Sequence, residues 1–274
     1  MSTPLNIGIA GCSGRVGKLL VKELVKQDSP WKDIQLAAGS VRKDSAHENK
    51  DIGEIAGLPS INLNAQSDPK ELFAKSDVVI DFTSPALTIE HARLAAQENK
   101  ALIIGTTGLS SEDEQVLKES AKNCVIVYAA NMSVGVNLLL SLVKKTASIL
   151  GEEDWDIEIN ETHHKHKVDA PSGTALALGH AAANGRDVAL DNVGEYVRHG
   201  DTGARNTGKI GFSVQRGGDV VGEHTVTFFG EGERIELTHK ATDRSLFAKG
   251  AIKAAIWSHK QDNGLYSMQD VLDI

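Results

Sequence analysis

Residues 161–176 read ETHHKHKVDAPSGTAL, and three histidines and two lysines fill the five positions 163 to 167. The whole chain has ten histidines and a formal net charge of -8, so this density of protonatable and cationic groups runs against the global balance. Three readings compete for it. A metal site is disfavoured, because histidines at i, i+1 and i+3 with intervening lysines repel a dication, and no cysteine or acidic partner stands at helical ligand spacing. A solvated polar strand end is the plain reading. The third is an anion pocket: DAPSGTAL starts a helix, with Pro171, Ser172, Gly173 and Thr174 ahead of an apolar run, and the free amides of a helix start attract negative charge. In such a pocket His163 or His164 supplies a proton near neutral pH, and Lys167 a fixed charge or a second acid. A small dicarboxylate is the substrate class this combination suits.

A second constellation lies near the start. GCSGRVG places Gly11, Gly14 and Gly17 at intervals of three, behind an apolar run with Leu5, Ile7 and Ile9 and ahead of Val16, Leu19, Leu20 and Leu24 at helical spacing. Strand, tight loop and helix in that order form a site for a dinucleotide pyrophosphate, although Ser13 stands where the middle glycine of G-x-G-x-x-G usually falls. The bland alternative is a tight turn with no ligand. After the second strand comes AAGSVRKDS, in which Ser40, Arg42 and Lys43 can reach a phosphate while the nearest acid is Asp44. That balance favours NADPH over NADH, against the alternative of a solvated Arg42–Lys43 loop pair.

The elements that must hold these residues divide in two. IQLAAGSV at 34–41, DVVIDFTSP at 77–85, ALIIGTTG at 101–108 and CVIVYAANMS at 124–133 are short apolar segments ending in small or polar residues, separated by helical stretches at 85–100 and 110–123. Such alternation predicts an α/β Rossmann-type parallel sheet with ligands at the carboxyl ends of its strands. Ser111 and Glu114 have capping-box spacing at the start of the second helix. After about residue 132 a long apolar helix is followed by DWDIEINETHH, GKIGFSVQRGG, VVGEHTVTFFG and ERIELTHKA, whose period-two patterns predict a mixed or antiparallel sheet in an α+β domain. SLFAKGAIKAAIWSHK is a closing helix with Leu246, Phe247, Ala251, Ile252, Ala255 and Ile256 near one face, expected against the first domain. The domains are therefore predicted as 1–132 with 241–274, and 133–240, with a ligand cleft between them.

Composition narrows the function classes. With 274 residues, 41% of them apolar and 24% charged, the chain is an ordinary globular sequence without an apolar run long enough for a bilayer. An acidic total with 4% aromatics argues against a nucleic-acid partner. STPLNIGIAG after Met1 has neither secretory nor transit-peptide character, so a cytoplasmic protein is expected. Cys12 and Cys124 cannot form a disulfide framework, and neither is placed as the nucleophile of a thioester-forming semialdehyde dehydrogenase. A non-catalytic dinucleotide sensor would not need the basic cluster.

The motifs GCSGRVG, DFTSP, IGTTG, AANMSVGVN, ETHHKHKVDAPSGTAL, GKIGF and GDVVGEHTV, taken in order, resemble the dihydrodipicolinate reductase family over nearly the whole length. The resemblance implies an N-terminal Rossmann domain completed by the C-terminal helix, and a central sheet domain that binds substrate and builds a homotetramer. It implies an NAD(P)H-dependent reductase of the lysine and diaminopimelate route. Gly11, Cys12, Ser13, Gly14, Arg15, Val16 and Gly17 would hold the pyrophosphate. Gly105, Thr106 and Thr107 would line the nicotinamide end with Ala129, Ala130, Asn131 and Met132. His163 matches the proton donor, His164 a substrate contact, Lys167 the other donor or carboxylate binder, and Gly173 with Thr174 the carboxylate site; no metal is implied. Two departures stand out. Val41 occupies the position of an acidic ribose-binding residue while Arg42 is kept, which favours NADPH with NADH as the lesser cofactor. Met132 stands where many members have phenylalanine.

Overall fold

A computed structural model describes residues 4–31 and 33–274; Met1 to Thr3 and Lys32 lie outside the described residues. The first half of the chain alternates β1 (Leu5–Ala10), α1 (Arg15–Val25), β2 (Ile34–Ser40), the short helices α2 (Ile52–Ile55) and α3 (Pro69–Ala74), β3 (Val78–Asp81), α4 (Pro85–Glu98), β4 (Ala101–Ile104), α5 (Ser111–Ser120) and β5 (Val125–Tyr128). β3 is buried throughout, as continuous apolar runs are when helices cover both faces of a parallel sheet. Neighbouring residues serve opposite cores. Val78, Ile80, Ile103 and Val127 pack on the α1 side with Leu20, Val21 and Leu24, whereas Val79, Leu102, Ile104 and Ile126 meet Ile89, Ala92 and Leu117. The capping box of α5 is one residue earlier than the sequence suggests. Ser110 accepts from the Asp113 amide and Asp113 accepts from the Ser110 amide. SSEDE offers two overlapping patterns, and extended backbone at Ser110 selects the first.

Next come α6 (Val134–Ile149), β6 (Asp156–His163), α7 (Gly173–Gly185), α8 (Leu190–Val193), β7 (Gly194–Glu195), β8 (Ile210–Arg216), β9 (Gly222–Gly230) and β10 (Glu233–Ala241). The five strands form a mixed sheet in the order β10-β9-β6-β8-β7. β6 runs parallel to β8 and antiparallel to β9. Strict alternation on β6 turns Ile157, Ile159, Glu161 and His163 toward the helix-covered face. The first two join a core with Leu139 and Val143 of α6 and Leu178 and Ala182 of α7. The last two continue that same face beyond the core, so an apolar stripe becomes a charged one along a single strand.

The chain then returns to its first unit through α9 (Ser245–Ser258), β11 (Gly264–Tyr266) and α10 (Met268–Leu272). One compact unit therefore runs through Ser133 and resumes over Arg244–Asp273, and the other is Val134–Asp243. β11 adds a sixth parallel strand beside β5, giving the order β11-β5-β4-β3-β1-β2. Its three residues, GLY, carry no period that a sequence reading could detect. The inner face of α9 also differs from the predicted one. Leu246 and Phe247 are only half-buried, and the buried face is built of Ala248, Gly250, Ala251, Ile252, Ala254 and Ala255. Small residues allow close approach of backbones, and a Cβ on Gly250 would stand 1.7 Å from the Met132 carbonyl oxygen. Glycine to alanine in a helix interior normally stabilises. Here Gly250→Ala is expected to lower unfolding stability by about 1–3 kcal/mol through overpacking, measurable by urea unfolding.

Candidate functional site

The glycine loop is shaped by what cannot fit in it. Gly11 has a φ of +75°, and a Cβ on Gly17 would fall 2.2 Å from the Gly11 carbonyl oxygen. The Gly14 amide donates to that oxygen at 2.9 Å. Gly14 is the N-cap of α1 and no side chain caps the helix, so its first amides point into the loop without a side-chain acceptor. Ser13 is half-buried and Gly14 and Arg15 are exposed, but Cys12 is fully buried. Burial pushes its thiol up to about 11, so Cys12 contributes backbone rather than thiolate chemistry. A cavity of about 960 Å³ is lined by Gly11, Ser13 and Gly14 and by Ser40, Val41, Arg42 and Lys43. Val41 buries its side chain in the core, while Arg42 and Lys43 are exposed.

The carboxyl ends of β3, β4 and β5 carry the remaining predicted residues of this unit. Asp81 is fully buried. Its Oδ1 accepts from the hydroxyls of Thr83 at 2.6 Å and Thr106 at 3.2 Å, and its Oδ2 lies 2.9 Å from His91 Nδ1. Thr106 therefore turns its side chain inward, and Thr107 is exposed. Gly105 leaves room for the Phe82 ring, since a Cβ would lie 2.2 Å from it. Ala129 donates its amide to the Ile104 carbonyl, which sets 129–132 beside 105–107. Ala130 is exposed and Asn131 half-buried; Met132 packs its side chain into the core. The phenylalanine-to-methionine departure thus falls in packing. Sequence spacing does not single out Asp81 and His91, although DFTSP is legible as a strand end.

In the second unit the end of β6 gathers groups from four elements. The Glu161 side chain is 1% exposed and receives Arg216 Nη1 and Nη2, each at 2.8 Å, the Ser172 amide at 2.9 Å and His163 Nδ1 at 2.5 Å. Burial alone would raise the Glu161 pKa. The donors from Arg216, His163 and Ser172 outweigh it and hold the carboxyl below its usual range. Ser172 is the N-cap of α7 and accepts the Ala175 amide at 3.2 Å. Its hydroxyl is 3.1 Å from Nε2 of buried His224, whose ring meets that of His163 edge-on at 5.1 Å. Burial, with the neighbouring His163, pushes His224 down to about 4.

The basic segment itself is a turn. His164 donates its amide to the Val220 carbonyl and Lys167 to that of His164. His166 is exposed, with its ring 6.2 Å from that of half-buried His164. Lys167 Nζ contacts both oxygens of Asp169 at 2.8 Å, and Arg216 Nη2 donates to the Asp169 carbonyl. Gly173, the first residue of α7, is exposed with nothing near the position of a Cβ, and Thr174 follows it half-buried. A histidine held by a carboxylate, a lysine charge and a helix start are thus joined within one unit.

Comparison with known proteins settles the relationship. The family models described as dihydrodipicolinate reductase N-terminus and C-terminus match residues 5–132 and 135–272. The chain belongs to the dihydrodipicolinate reductase family. It is 49% identical to a 4-hydroxy-tetrahydrodipicolinate reductase of Brucella abortus (strain 2308) over 98% of this chain and 99% of that one. It is 50% identical to the enzyme of that name from Agrobacterium fabrum, covering 100% and 98%. The dipicolinate-bound dihydrodipicolinate reductase from Paenisporosarcina sp. TG-14 shares the fold, with a TM-score of 0.78 at 23% identity over 98% and 99% of the two chains.

Around His163, sequence reasoning misses Glu161, Ser172, Arg216 and His224 as site residues. Glu161 is legible from the period of β6, which puts it beside His163 on the inward face. Arg216 and His224 lie opposite His163 and Glu161 only through strand register, which sequence spacing does not reveal. A histidine whose folded pKa is depressed lowers stability as pH falls from its unfolded pKa, about 6.5, toward about 4, because the unfolded chain binds the extra proton. Between pH 7 and pH 5 the His224 contribution to this loss is expected to be about 2 kcal/mol. His224→Gln should remove that share in denaturant unfolding measured at both pH values.

Proposed function

We propose that the protein reduces 4-hydroxy-tetrahydrodipicolinate to tetrahydrodipicolinate with loss of water, in the diaminopimelate route to lysine. The observation that carries this reading is the buried Glu161–His163 pair joined to the start of α7, in a chain matched to the family over both units. The first unit is the dinucleotide domain and the second the substrate domain. The close backbone approach at Gly17, the bare N-cap at Gly14 and the cavity beside them fit a nicotinamide dinucleotide.

When bound, the reduced nicotinamide supplies a hydride to C4 of the conjugated imine dicarboxylate left after the hydroxyl departs as water. The amides of residues 11–17 hold the pyrophosphate, and Gly105 to Thr107 with Ala129 to Met132 line the nicotinamide end. Gly173 and Thr174 receive one substrate carboxylate at the N-terminus of α7, where the helix dipole favours an anion. Lys167 pairs with the other, in competition with Asp169, and His164 contacts the ring. Reduction puts negative charge on the ring system. His163 then gives the proton on Nε2 to ring carbon C3, and fixed cations lower the barrier to this charge development. Arg42, flanked by Lys43, receives the 2'-phosphate of NADPH; Val41 offers no carboxylate to a free ribose. The enzyme works in the cytoplasm as a homotetramer, a state supported by the family resemblance.

The assay is absorbance loss of NADPH and NADH with freshly made hydroxy-tetrahydrodipicolinate. His163→Ala is expected to lower turnover by about 10²- to 10⁴-fold; wild-type-like turnover in a folded variant would reject the donor. Arg42→Ala should raise KM for NADPH by about tenfold, the loss of one charge-assisted contact, and leave NADH nearly unchanged. Equal effects on both cofactors would remove the case for NADPH.

A further inference from the structure

We propose that Glu161 is a positioning residue for this reaction, fixing the tautomer and aim of His163 and tying the proton donor to the helix start that receives the substrate carboxylate. The inference rests on the reading of His163 as donor. Three observations carry it. Glu161 Oε2 is 2.5 Å from His163 Nδ1, so that ring nitrogen is committed as an N–H donor to the carboxylate and only Nε2 remains for chemistry. The space beside Nε2 is kept by a glycine, because a Cβ on Gly222 would stand 3.0 Å from it. Glu161 Oε1 accepts the amide of Ser172, the residue that caps α7.

The carboxylate is itself immobilised. Arg216 grips it with two nitrogens, and a bidentate fork fixes the carboxylate plane as well as its charge. His163 and the α7 N-terminus therefore share one rigid reference. After proton transfer the N–H bonding pair stays on Nε2, the Nδ1 proton stays toward Glu161, and the ring returns to the tautomer in which Nε2 can be protonated again. This resembles the logic by which a buried carboxylate orients the histidine of a hydrolase triad.

Glu161→Gln tests the assignment. The amide places an NH2 group where Oε2 faced His163, which turns Nδ1 into an acceptor and puts the proton of a neutral ring on Nε2. The expected result is a fall in kcat of about 10²-fold with KM for the substrate little changed. In the double variant Glu161→Gln/His163→Ala, turnover should equal that of His163→Ala alone. A further drop in the double variant, or near-wild-type kcat in Glu161→Gln, would overturn the proposal. A direct measurement needs no Glu161 variant: long-range 1H–15N NMR of the wild type, assigned with His163→Ala, should find the neutral His163 ring protonated at Nδ1. The Nε2–H tautomer would overturn the inference. If His163→Ala keeps wild-type turnover, donor and positioning role fall together; if it is slow and Glu161→Gln is fast, the positioning role alone falls.

Discussion

The buried carboxylate of Glu161 constrains everything around it. An ionised group out of water must be paired and hydrogen-bonded, or it takes up a proton instead. Glu161 meets that demand with Arg216, Ser172 and His163, taken from a neighbouring strand, a helix start and its own strand. Each partner is thereby held by the same pair of oxygens. The strand order β10-β9-β6-β8-β7 matters because it puts β6 between the strands that bring Arg216 and His224. Isoleucines lower on β6 anchor the strand in the core and leave its charged end to the site.

The first unit solves a different problem. The loop before α1 presents backbone rather than side chains, so the side chains that matter there are the ones that are missing. Gly11 and Gly17 open the loop, and Gly105 yields its space to Phe82. The polar side chains nearby face inward: Thr83, Thr106 and His91 satisfy Asp81 rather than solvent. A buried network of this kind stiffens the ends of β3 and β4 at the edge where a ligand would lie. The second unit presents charged side chains held rigid, and the first a helix start that no side chain caps.

That division explains what the sequence can disclose. Glycine spacing, strand-ending motifs and the basic segment all lie within short windows, so the two-part α/β architecture and most candidate residues are readable directly. Glu161 is also within reach, two residues before His163 on an alternating strand. His224 is not, since it lies far along the chain from Glu161 and only antiparallel register brings the two opposite one another. β11 escapes because three residues carry no pattern, and on α9 the expected Ala251, Ile252 and Ala255 are buried while Leu246 and Phe247 give way to Ala248, Gly250 and Ala254. The α5 cap is ambiguous between adjacent serines. In each case the deciding quantity is a backbone approach or register rather than a residue type.

The same geometry revises the meaning of the basic cluster. HHKHK stands out in an acidic chain, yet its Lys167 is already matched by Asp169, as Arg216 outside the segment is matched by Glu161. A dianionic substrate bound as proposed would offer geometry that Asp169 cannot, with one carboxylate at the amides of α7 and a second within reach of Lys167. The Glu161–Arg216 pair is closed to it by burial, whereas Asp169 is exposed and its contact with Lys167 is the exchangeable one. Exposed ion pairs contribute little stability, so exchanging this one for a substrate carboxylate, as proposed, would cost little. On the proposed reading the segment would select its ligand by the spacing of two anion sites, the start of α7 and Lys167, rather than by net charge alone.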